Sequence, residues 1–400
     1  MTPFLTSKQL AQELQIIPYR ERERKRKPRT HALKRHPFLL LLGGLLILCI
    51  LRAVAVYAWP LPEQPITCNQ YLEAADYPRV VRLQAQNQQM AAVQIVNDLD
   101  GGLPAALVQV ITHGLQNTLD VYIFGCSMQG NQPHLTRLFT QRGLIQGAVE
   151  LTPEHTFITR TLDTRLAPDV IPFLQPLQQN VYHEYAWEQG HFVPIAFPGF
   201  YPVTSQTEAE ALQQSADNGQ ELPWNDPVTT AIQMSKDLLQ WSPDPQAQLL
   251  SRTGDTAEVS LTEQSPHIVL VVTLKQLIES DSAGLWFVTD ARTRGMLISR
   301  FGTLDQPLPT TLHSPLQFSG ANALVDGQTT ATLFDHTMTP VSRAINIPLT
   351  VHPDSSYSGT ILYANLTGGQ QGVLLIKSLP RPGNLNKESG QMLLTGVILN

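Results

Sequence analysis

Residues 20–60 read RERERKRKPRTHALKRHPFLLLLGGLLILCILRAVAVYAWP, dense positive charge running straight into a long apolar block. No other stretch constrains the chain as much. From Pro37 to Trp59 there are 23 residues, all apolar or small except Arg52 and Tyr57, and a helix needs about 20 such residues to cross a bilayer core. Arg52 falls in the last third, where its side chain reaches the headgroups by snorkelling. Tyr57 and Trp59 stand where aromatic belts form. The reading is a retained transmembrane helix over 37–59. Ala53-Val54-Ala55 offers a small-residue cleavage step, but 36 residues precede the apolar core, whereas a cleavable signal starts short. Cys49 follows Leu-Leu-Ile-Leu and Cys68 follows Gln-Pro-Ile-Thr, so neither has the small residue that precedes a lipidated cysteine.

Charge sets the orientation. Residues 1–36 hold ten Lys/Arg and three Glu, while residues 60–78 hold no Lys or Arg. Positive charge stays cytoplasmic. The expectation is a basic cytoplasmic tail (1–36), a single pass through the cell membrane, and 341 residues on the outside. The basic run fixes topology; contact with anionic lipid is the alternative use of it. Without the tail and Arg52, 30 acidic residues face 16 basic ones. Such an acidic outer part excludes nucleic acid as an expected partner.

The outer part carries two cysteines, Cys68 and Cys126, in a compartment that permits disulfides. One Cys68–Cys126 pairing is the expectation, and two buried thiols the alternative. Residues 60–67 form a Pro-rich linker. Residues 68–203 read as an α+β domain. In it MAAVQIVNDL and PHLTRLFTQRGL have helical spacing, AALVQVIT and LDVYIFGCSM read as strands, and two further pairs of strands follow. Residues 204–302 read as a second α+β domain, helices followed by a meander. Ser205 and Glu208 mark one helix start as a capping box, and Asn218-Gly219 its end. Asp226-Pro227 opens the next, with Val228, Ala231, Ile232, Ser235, Leu238 and Leu239 on one face. HIVLVVTL, apolar on both faces, is expected in the middle of a sheet.

Residues 303–400 change character, to short strands separated by Gly, Pro, Asn and Asp turns, the pattern of an all-β sandwich. The stretch HSPLQFSGANALVDGQTTATLFDHTMTPV with SYSGTILYANLTGGQQGVLLIKSL carries Ser314-Pro315-Leu316, Phe318 to Gly320, Asp335 before a turn, and the GVLLIKSL strand. In these residues it resembles the immunoglobulin-like module of bacterial spore-germination and other envelope proteins. The resemblance covers about a fifth of the chain and departs from the usual pattern after Gly320, where ANALVDG stands in place of an aromatic-acidic pair. It implies an immunoglobulin-like sandwich and a bacterial extracytoplasmic setting, and it carries no catalytic residue. The fold expected is therefore multi-domain: an N-terminal transmembrane helix, an α+β membrane-proximal region, and a C-terminal all-β immunoglobulin-like sandwich.

Candidate sites are sparse. Asp98-x-Asp100 before Gly101-Gly102 is the spacing with which paired acids hold a metal and a nucleotide-sugar phosphate, and equally that of a solvated turn. In VYHEYAWEQGH a zinc helix would need His at 187, which is Trp187. Read as a strand, the stretch puts His183, Tyr185 and Trp187 on one face, able to stack on a sugar or to cover a core. Ser127 lacks the G-x-S-x-G frame, and Cys126 has no identifiable histidine partner. Thr367 to Gly372 (TGGQQG) reads as a hairpin turn. No catalytic residue, cofactor or firm metal site is expected. The sequence points to an anchored envelope protein that binds a partner protein or wall glycan without catalysis. Its alternative is an anchored glycan-active enzyme with a metal at Asp98 and Asp100.

Overall fold

The computed structural model describes residues 66–400 apart from 84–85, 98, 100–101, 131, 167–178, 242–244, 302–310, 342, 365, 382 and 384–387. The tail, the apolar block and nearly all of the linker lie outside the described residues. Among those described, no helix is long and apolar enough to cross a membrane. The structure is mostly β-sheet.

It begins with two short helices, α1 (Cys68–Ala74) and α2 (Tyr77–Val81), capped by the side chains of Thr67 and Asp76. An antiparallel meander follows: β1 (Gln88–Val96), β2 (Ala105–Thr112), β3 (Thr118–Gln129) and β4 (Gln132–Ile145). The helical spacing of MAAVQIVNDL and PHLTRLFTQRGL therefore belongs to β1 and β4. The cause is in the ladder. The register slips between Met90 and Ala92 in β1, and in β3–β4 near residues 120 and 138. Each inserted residue breaks the period of two and leaves apolar side chains three or four apart.

Both faces of this meander are covered. Ala106, Val108, Val110, Tyr122 and Phe124 pack under α1 and α2. Leu107, Leu119, Val121 and Ile123 pack against a second antiparallel sheet of β5 (Ala148–Leu151), β6 (Phe157–Leu162), β7 (Asn180–Glu188) and β8 (His191–Ile195). Burial on both sides explains why AALVQVIT reads as a continuous apolar run. A disulfide joins Cys68 of α1 to Cys126 of β3.

Helices α3 (Gln206–Asp217) and α4 (Pro227–Leu239) come next. Ser205 caps α3 by accepting from the Glu208 amide, but the Glu208 carboxylate accepts from the Ser205 hydroxyl instead of closing a capping box. Gly219, at φ +86°, ends the helix. Asp226 caps α4, which buries Ala231, Met234, Ser235, Leu238 and Leu239.

That face of α4 lies on a nine-stranded sheet. One half is β9 (Gln246–Thr253), β10 (Thr256–Gln264), β11 (His267–Gln276) and β12 (Trp286–Arg292); the other holds β14 (Thr311–Leu312), β16 (Gln328–Phe334), β17 (Ile347–Pro348), β20 (Gln370–Leu379) and β21 (Gln391–Leu399). β21 joins the halves, pairing with β12 at Ala291 and Arg292 and with β20 along its length. β11 is an inner strand, but its burial alternates and Val269 is 41% exposed, so only one of its faces is covered. A last sheet, β13 (Leu297–Phe301), β15 (Leu316–Ala321), β19 (Tyr357–Ile361) and β18 (Thr350–Val351), shares a core with β16, β20 and β21 through Phe318, Tyr357, Leu333, Leu374, Ile376 and Val397. No α-helix occurs among the described residues after Leu239.

Candidate functional site

A cavity of about 250 Å³ opens where three distant stretches meet. Strand β7 brings Tyr182 to Tyr185, the start of α3 brings Thr204 to Thr207, and the turn before β20 brings Gly368 and Gly369. TGGQQG is thus not a hairpin turn. It follows the crossing from β19, in one sheet, to β20, in another.

His183 is the centre of this arrangement and is 6% exposed. Thr159 stands opposite it in the β6–β7 ladder. The Thr159 hydroxyl donates to Gln141 Oε1 at 2.8 Å, which turns the Gln141 amide nitrogen toward His183 Nδ1 at 3.2 Å. Nδ1 is therefore the acceptor, and the ring proton belongs on Nε2. Nε2 is buried and has no hydrogen-bond partner. Burial pushes the His183 pKa down to about 4; the Gly368 backbone favours the charged form a little, and His336 disfavours it. The ring is neutral near pH 7. Gly369 lies against it at φ +80°, where an added Cβ would stand 2.9 Å from both Cδ2 and Nε2. Only glycine permits that approach without displacement.

Behind the cavity lies a buried charged cluster. Asp163, fully buried, accepts from the Arg165 backbone and guanidinium, and His336 Nε2 lies 3.3 Å from its Oδ2. Burial pushes the Asp163 carboxyl up, but the hydrogen bonds from His336 and Arg165 outweigh it and hold the group well below the usual carboxylate range. Arg165 also reaches Asp335 at 3.4 Å. Asp335 in turn organises its own turn, accepting from the Thr337 and Thr339 amides and the Thr337 hydroxyl. Glu208, 5% exposed, has its carboxyl pushed up by burial, partly offset by Ser205 and His336. On the cavity wall, burial likewise raises Glu184, whose carboxylate accepts from the Thr156 hydroxyl at 2.6 Å.

His183 and Tyr185 border the cavity and Trp187 does not. Tyr185 stacks on Phe157 at 5.1 Å, and Trp187 meets Phe192 edge-on at 4.9 Å. Tyr185 and Trp187 thus cover the core between the first two sheets, and the buried His183 ring forms part of the cavity wall. Asp98 and Asp100 lie outside the described residues. Among those described, no group of three or more His, Cys, Asp or Glu side chains is placed to hold a metal ion. Asp163, Arg165, Glu208 and His336 were not foreseen as partners. Asp163 and His336 are 173 residues apart, and no local spacing links them.

No protein-family model, curated protein or solved structure matches the chain.

Proposed function

We propose that the chain is a membrane-anchored extracytoplasmic protein of the bacterial envelope that binds a partner or wall component without chemically changing it. One observation carries the binding part: a cavity of about 250 Å³ walled by three distant stretches, with the buried ring of His183 in its wall. Pockets that take ligands concentrate where separate structural parts meet. The charged groups behind it are paired with one another, which suits a rigid scaffold. The anchor and the outward placement rest on the basic tail and the apolar block of 37–59. The immunoglobulin-like reading of the C-terminal part is supported by two facing β-sheets around one core, although one of them continues into β12.

The test is in-cell photo-crosslinking of the full-length chain, with the photoreactive residue at Thr207 on the cavity wall and, as control, at fully exposed Leu115. Captured material is identified by mass spectrometry. One or a few envelope components specific to the Thr207 probe are expected. Identical capture from both positions would count against the reading.

A further inference from the structure

We infer that the cavity takes a neutral, hydroxyl-rich ligand the size of one sugar ring, with the buried His183 ring in the wall beside it. The inference deepens the binding function proposed above and rests on it.

Two features of the wall converge on this class. Apart from His183 and Glu184, the polar lining is made of amides and hydroxyls: Gln141, Gln206, Gln371, Thr204 and Thr207 among them. Such groups donate and accept at once, as ligand hydroxyls do. Tyr182 and Phe197 add aromatic surface for the C–H faces of a ring.

Charge argues against an anion. No Lys or Arg lines the cavity among the described residues, and the acidic lining residue is Glu184. The positive end of α3 is already answered by the Ser205 hydroxyl and the buried Glu208 carboxyl. Size argues against a chain of sugars inside the cavity. About 250 Å³ falls below the range of roughly 300–1,000 Å³ that holds drug-sized molecules, so one ring enters and any continuation stays outside.

The experiment uses the full-length protein in a polyoxyethylene detergent, which has no sugar headgroup to compete. With histidine ring nitrogens labelled, long-range ¹H–¹⁵N spectra follow His183 during titration with D-glucose, D-mannose and N-acetyl-D-glucosamine. Acetate, phosphate and methylammonium serve as charged comparisons. A saturable shift of the His183 Nε2 signal with at least one neutral sugar is expected, and none with the charged probes. Thr207→Trp, which fills the cavity from a partly exposed position, should abolish that binding. The inference is overturned if no neutral sugar binds, if binding survives Thr207→Trp unchanged, or if a charged probe binds in preference. Should the sugars fail while the Thr207 crosslink remains specific, the ligand class falls and the binding function stands. Should both fail, both fall.

Discussion

His336 Nε2 lies 3.3 Å from Asp163 Oδ2 across 173 residues of chain, and the contact is closed off from solvent on both sides. It ties the loop after β6 to the turn after β16, so the wall of the cavity and the C-terminal sheets share one buried ion cluster. Removing one member of such a cluster strands the others, which usually costs more than the cluster itself contributes.

Asp163→Asn is therefore expected to destabilise the protein by about 3 kcal/mol, because Arg165 and His336 lose their common acceptor. Arg165 keeps some solvent contact, which holds the effect below the upper end of the range. The Asp163 carboxyl is lowered in the fold, so its contribution is complete above about pH 4 and is lost only as pH falls through the lower folded value. Urea unfolding at neutral pH checks the first point. A change under about 0.5 kcal/mol, the size expected at an indifferent surface site, would show that the cluster is not holding the parts together.

His183 works in the same direction on the pH axis, over a higher window. Its pKa is lowered from 6.5 to about 4, so between those values the unfolded chain binds the proton and the folded one does not. Stability should fall as pH drops through that window, by up to about 3 kcal/mol from this group alone. Glu184 and Glu208, both raised by burial, push the other way. The informative quantity is thus the difference between wild type and His183→Phe in unfolding free energy at pH 7 and pH 4.5. If the two profiles run parallel, the assignment fails.

At Gly369 the backbone sits at φ +80° against the His183 ring. Gly369→Ala adds left-handed strain and a Cβ that the ring cannot avoid, for an expected cost of about 2 kcal/mol. Gly383→Ala meets nothing within 4 Å and should stay within about 0.5 kcal/mol of wild type. Thermal unfolding of the pair decides it; equal melting temperatures would remove the close approach from the account.

Cys68 and Cys126 close a loop spanning 58 residues. Chain-entropy arithmetic gives about 4 kcal/mol for a loop of that length. Cys68→Ser with Cys126→Ser should lower the urea midpoint of the α1–β3 region, read by hydrogen exchange in β2 and β3. Unchanged protection there would contradict a fastening role.

In the core, Met234→Ala on α4 should cost about 2–5 kcal/mol, since the side chain is fully buried on the nine-stranded sheet. Val269→Ala, on the exposed face of β11, should cost well under 1 kcal/mol. Similar losses at both sites, measured by urea unfolding, would mean that β11 is covered on its second face after all.

What could be read in advance follows from how local each signal is. The starts of α3 and α4 lie in Ser205, Asp226 and Pro227, which act on amides only a few residues away. The hairpins β5–β6 and β7–β8 are likewise local, and their register runs without a shift. β1 and β4 were misleading because their bulges turn a two-residue period into a helical one. HIVLVVTL has apolar residues on a solvent face, where burial, not composition, decides which side is inside. His183 was visible as a face residue, yet its unpartnered nitrogen depends on Gln141 and Thr159, from two other strands. The Asp163–His336 contact depends on the complete arrangement of sheets and has no counterpart in any short window of the chain.

β21 sits between β12 and β20, yet it is synthesised after both. Until residues 391–399 have been made and have slid into place, each of those strands presents an open edge, and α4 covers a sheet whose centre is missing. Of the strands of this sheet, the middle one is made last. A chain built this way must be kept from pairing prematurely with its neighbours. For a protein whose bulk is proposed to lie beyond a membrane, the same order leaves the sheet unlocked until its last strand has been made.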